Sequence, residues 1–114
     1  MDRTRPISQV EVEHEILRLT DMLENETEAF EKLALDSASK EASYKSNWAK
    51  EYLGAKGSIK EREAWADYKL EDLIMQFKIS EALVKSKREK LNSLRTNIDA
   101  LRTIAANVRA QVGQ

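Results

Sequence analysis

All three tyrosines and both tryptophans of this 114-residue chain lie between residues 44 and 68, as Tyr44, Trp48, Tyr52, Trp65 and Tyr68. Interleaved with them are Lys45, Lys50, Lys56, Lys60 and Arg62. Tyr44, Trp48 and Tyr52 stand at i, i+4 and i+8, which places them in one row on a helix. Rings on a basic surface suit sequence-neutral binding of single-stranded DNA: lysines neutralise phosphates, and each ring stacks an unpaired base for about 1–3 kcal/mol. The same side chains have a second use, because amphipathic aromatics also fill a turn or an oligomer contact while lysines keep it soluble. A second basic cluster, Lys85, Lys87, Arg88 and Lys90, is followed by Arg95, Arg102 and Arg109. It either binds phosphate or pairs with Glu24, Glu26 and Glu28.

Little other chemistry is available. The chain has no cysteine and one histidine, His14, so thiolate zinc sites, cysteine nucleophiles and Ser-His-Asp triads cannot be assembled. Glu11, Glu13 and Glu15 flank His14, but glutamates on an exposed acidic helix face are solvated in the ordinary case. No catalytic residue, cofactor or metal is therefore expected. Gly54 and Gly57 lack the glycine spacing and the Gly-Lys-Ser/Thr ending of a phosphate loop. No run of about 18 apolar residues is present, and the opening Met-Asp-Arg-Thr-Arg-Pro lacks an apolar signal core; a cytoplasmic protein without membrane contact is the expectation.

The elements that position these residues follow from the scarcity of turn formers. Three glycines and one proline disfavour any sheet fold and point to an all-α chain. Ser8 with Glu11, and Ser58 with Glu61, fit capping boxes. They predict one domain over 1–114, built as a long helical hairpin: a helix over about 8–53, a turn at 54–58 and a helix over about 59–111. At 1.5 Å per residue the helices reach roughly 70 and 80 Å. From Ile59 a heptad runs through residues 63, 66, 70, 73, 77, 80, 84, 87, 91, 94, 98, 101, 105, 108 and 112, apolar except at Glu63, Ser80 and Lys87. This is a coiled-coil-like seam. Ala64, Trp65, Tyr68, Met75, Ile79 and Ala82 add a second apolar face, so the pair is expected to assemble into a homo-oligomer. The first helix starts in heptad phase at Val12, Ile16, Leu19 and Leu23, continues through Phe30 and Leu33, and then drifts to fours along Ala34, Ala38, Ala42 and Ala49. That drift suggests a small-residue face open to close approach. Asp36-Ser37-Ala38-Ser39 offers an alternative, a break in the helix.

The net charge of −1 is a cancellation of blocks. Residues 8–36 hold nine acids and two bases, residues 37–62 six bases and three acids, and residues 73–114 eight bases and three acids. If the chain folds back at the turn, residue i lies across from roughly 112 − i, and the acidic arm faces the basic second half. Such pairing leaves the block 37–62 unexplained.

The order of acidic helix, Tyr44-Lys45-Ser46-Asn47-Trp48, turn with Ser58-Ile59-Lys60, and Lys-rich helix resembles the UvsY-type recombination mediator proteins of bacteriophages. The closing Leu94-Arg95-Thr96-Asn97-Ile98-Asp99-Ala100-Leu101-Arg102 is similar to the tail of small phage proteins grouped with them. The resemblance covers roughly 40–102. It implies a non-enzymatic, ring-like homo-oligomer that binds single-stranded DNA and helps a RecA-like recombinase displace a single-strand-binding protein, in the host cytoplasm if phage-encoded. Lys45, Lys50, Lys56, Lys60 and Arg62 would then contact phosphates, with Tyr44, Trp48 and Tyr52 as the stacking platform. The chain departs from the pattern in lacking paired tyrosines after a basic segment in its second half. Two other readings stay open: a structural or adaptor coiled coil, such as a phage assembly chaperone or scaffold, and an effector whose acidic helix mimics nucleic acid.

Overall fold

Helix α1 spans Gln9–Gly54, α2 Ile59–Lys69 and α3 Glu71–Val112 in the computed structural model, which describes residues 8–112. No strand occurs among the described residues. Gly113, the last of the three glycines, lies outside them. Within α1 there is no proline, and its only glycine is its last residue, so nothing interrupts the helical ladder. At its start the capping box is reciprocal: Glu11 N–H donates to Ser8 Oγ at 3.2 Å, and Ser8 N–H donates to the Glu11 carboxylate at 3.4 Å. The helix does not break at residues 36–39. An ion pair between Asp36 and Lys40, 2.9 Å and one turn apart, spans that stretch and supports the helical path.

The second helix, expected to be continuous over 59–111, is divided at Leu70. There the backbone moves to φ −108°, ψ 17°, out of the α region, although Leu70 N–H still donates to Ala66 O and Ile74 N–H to Leu70 O. Local charge favours ends at this place. Lys69 closes α2 and Glu71-Asp72 opens α3, each sign complementing the adjoining helix dipole. The heptad holds its buried or half-buried face from Ala66 to Val108; Ile59 and Glu63, at its start, stand in solvent.

By their internal contacts the residues form two compact units, one made of residues up to 28 together with those from 88 on, the other of Ala29–Lys87. In the first unit, Leu19 packs with Leu94 and Ile98, flanked by Met22, Leu23 and Leu101. Val12, Leu91 and Ala105 are also buried there. Burying each leucine or isoleucine side chain stabilises by about 1.5–3 kcal/mol. Lys90 Nζ meets Glu26 Oε1 at 3.1 Å, so this lysine of the second basic cluster is spent on an acid of the opposing helix. The contact is displaced a few residues from the simple 112 − i register, which would set Glu26 against residue 86.

In the second unit the buried residues are Ala66, Leu70, Phe77 and Ser80. Ser80 is 2% exposed, and its hydroxyl donates to Phe77 O at 2.6 Å, so this buried polar residue of the seam is satisfied by its own helix. Facing this seam, α1 does not use the row of alanines. Ala38, Ala42 and Ala49 are exposed, and the inner face runs through Ala34, Ser37, Glu41, Tyr44, Trp48 and Glu51. These positions alternate steps of three and four, so the heptad of α1 continues with larger side chains. A ring removes some 150–250 Å² from water, far more than an alanine methyl, and that difference decides which row turns inward.

Candidate nucleic-acid interface

The turn between α1 and α2 belongs wholly to the second unit. It is closed by Ala55 N–H donating to Tyr52 O at 3.3 Å and by Gly57 at φ 114°, a left-handed conformation that favours glycine. Ser58 then caps α2, accepting from Glu61 N–H at 3.2 Å. The Glu61 carboxylate lies close to Gly57, where a β-carbon would stand only 2.7 Å from Glu61 Oε2.

Lys45, Lys50, Lys56 and Lys60 are all exposed around this turn. Lys45 pairs with Glu41 on its own helix at 3.2 Å, an exposed pair worth a few tenths of a kcal/mol. Lys50, Lys56 and Lys60 make no ion pair among the described residues. Arg62 behaves differently. It is half-buried, its guanidinium carbon lies 6.0 Å from the centre of the Tyr52 ring, and its enclosed Nε finds no hydrogen-bond partner among the described residues. It is placed to pack on the ring more than to reach a phosphate.

The row Tyr44, Trp48 and Tyr52 faces inward. Tyr44 stacks on Phe77 with ring centres 5.2 Å apart, and Trp48 stacks on Tyr52 at 5.3 Å and 11°. All three are half-buried. The Trp48 indole N–H donates to Asp67 at 2.8 Å, and the Trp65 indole N–H donates to Glu51 at 3.0 Å. Two indole–carboxylate bonds running in opposite senses thus clasp α1 to α2. Asp67 and Glu51 are the site residues that composition alone does not flag. Their signal is the fold-back register, since 48 with 67 and 51 with 65 lie at nearly the same offset as 26 with 90. Bases approaching Trp48 would have to displace an existing stack and come near the Asp67 carboxylate. Trp65 and Tyr68, tilted against each other at 6.2 Å, remain exposed, with Lys69 Nζ 5.2 Å from the Trp65 ring centre.

The residues of the second basic cluster differ in their surroundings. Lys90 is paired with Glu26, Lys87 is half-buried at its seam position, Arg88 is exposed in the first unit, and Lys85 is exposed in the second. Elsewhere, Arg18 binds Glu15 one turn away and holds its carboxyl below the usual carboxylate range.

No group of three or more potential metal ligands occurs among the described residues, and no helix there is long and apolar enough to cross a membrane. No protein-family model matches the chain, and no similar curated protein or solved structure was found.

Proposed function

We propose that the chain is a non-enzymatic, coiled-coil-like helical protein that self-associates and holds single-stranded DNA along its lysine-rich turn, in the manner of a recombination mediator. The observation that carries this reading is the set of exposed lysines without ionic partners, Lys50, Lys56 and Lys60, grouped at one turn. The inward stacking of Tyr44, Trp48 and Tyr52 changes the mode of binding from that suggested by spacing: phosphate contacts dominate, and these three rings build the support beneath them. Binding is then indifferent to base identity and steeply dependent on salt. By the resemblance, the partners would be a RecA-like recombinase and a single-strand-binding protein.

Titration of a fluorescent oligo-dT at low salt tests the proposal. Saturable binding is expected, and it should be lost when Lys50, Lys56 and Lys60 are replaced by glutamate. Absence of binding, or binding indifferent to those replacements, would refute it. One specific observation favours a second reading, a structural or adaptor protein without nucleic-acid binding: the rings are already stacked within the chain and both indole N–H groups are taken. That reading predicts no response to oligonucleotide at any salt concentration.

A further inference from the structure

Away from the buried seam, α2 and the first half of α3 present Tyr68, Met75, Ile79 and Ala82 to solvent. Tyr68 is 71% exposed, Met75 and Ile79 56% each. In α3 these positions follow steps of four and three, so they form one stripe. The bend at Leu70 does not interrupt the surface, because Asp67 and Glu71 line the same groove of about 510 Å³ as Met75, Lys78 and Ala82. The charges bordering the stripe are ordered along it. Of the charges that line the groove, Asp67 and Glu71 lie toward its N-terminal end and Lys78 toward its C-terminal end, and neither Glu71 nor Lys78 has an ion pair among the described residues.

We propose that this face binds the same face of a second copy, antiparallel, about a twofold axis beside Met75. An axis between residues 74 and 75 sets Glu71 of each copy against Lys78 of the other. It also brings Met75 against Met75 and Tyr68 against Ile79 and Ala82. Apolar and charged groups therefore match in a single register. A parallel arrangement would oppose Glu71 to Glu71 and Lys78 to Lys78. An isologous contact needs both halves of the complement on one surface, and here acid and base stand seven residues apart on the same flank of one stripe. The stripe from 67 to 82 is about 24 Å long, at the small end of specific interfaces, so the dimer dissociates on dilution. The lysines of the turn take no part in this contact, and dimerisation is therefore separable from DNA binding.

The absence of cysteine makes the test direct. Met75→Cys should form a disulfide-linked dimer rapidly under mild oxidation, because position 75 meets itself at the axis. Ala82→Cys should not, because its two copies lie about 22 Å apart along the antiparallel pair. Both positions are exposed, so neither change disturbs the buried seam, and circular dichroism checks that helicity is kept. By sedimentation equilibrium, Glu71→Lys or Lys78→Glu alone should weaken the dimer about tenfold, two ion pairs being replaced by like charges. Combining them should restore it. A monomer at every concentration, equal cross-linking at 75 and 82, or no restoration in the double variant would each overturn the proposal. Loss of DNA binding with dimerisation intact would count against the function proposed above and leave this interface standing.

Discussion

Ser80 provides a quantitative test of how the second unit is packed. It occupies a seam position where a coiled-coil pattern calls for leucine, yet it is 2% exposed and its hydroxyl is bonded back to Phe77 O. Replacing Ser80 with alanine removes a bond made within the same helix and orphans no buried group, since the Phe77 carbonyl lies inside α3 and keeps its place in the ladder. Better helix propensity adds up to about 0.5 kcal/mol. Replacing it with leucine inserts two further heavy atoms into a filled position, at a cost of about 1–3 kcal/mol. The alanine variant should therefore exceed the leucine variant by about 1.5–3 kcal/mol. With an unfolding entropy of about 2.1 cal/mol/K per residue, a chain of 114 residues has roughly 0.24 kcal/mol/K, so the melting temperatures should differ by about 6–12 °C. Thermal unfolding followed by circular dichroism at one fixed protein concentration reads this directly. A leucine variant as stable as the alanine variant would mean that the seam has room at residue 80, refuting the packing described.

Other consequences follow from the same contacts. Ile98→Ala in the first unit should cost about 2–4 kcal/mol, seen as a drop of about 8–16 °C in melting temperature, because Ile98 is buried against Leu19 and Leu94. Gly57→Ala should destabilise by about 1 kcal/mol or more in urea titration, since a β-carbon there is strained at φ 114° and meets the Glu61 carboxylate. Gly54→Ala, with nothing within 4 Å, should be neutral or stabilising by up to about 1 kcal/mol. Breaking the Lys90–Glu26 pair by Lys90→Ala should cost at most about 1 kcal/mol, and a double-mutant cycle should show the coupling shrinking as salt is raised.

Much of the fold was legible because α3 is simple. Leu91, Leu94, Ile98, Leu101, Ala105 and Val108 keep an unbroken heptad, and each is buried or half-buried. The serines at 8 and 58 marked helix starts through chemistry that needs only three residues of context. The bend at Leu70 was not legible: no glycine or proline marks it, and its only signature is the change of charge sign between Lys69 and Glu71-Asp72. The inner face of α1 beyond residue 33 was misread because alanine counts as apolar in a periodicity while glutamate and serine do not. Area buried, not hydropathy alone, set the orientation, and Tyr44 and Trp48 took the seam with Ser37 and Glu41 preceding them. The candidate site was legible as a cluster and not as a geometry. The lysines stand exposed as their composition suggested, but the partners of the rings, Phe77, Asp67 and Glu51, lie far away in sequence and enter only through the pairing of α1 with α2 and α3.

The salt dependence of oligo-dT affinity tests the central claim most directly. If Lys45, Lys50, Lys56 and Lys60 each neutralise one phosphate of a single strand, the slope of log Kobs against log salt concentration is about −2.8, a loss of roughly fiftyfold between 50 and 200 mM salt. Replacing Lys50, Lys56 and Lys60 with alanine should leave a slope near −0.7. A wild-type slope near zero, or a steep slope unchanged in the triple variant, would contradict phosphate binding at this turn.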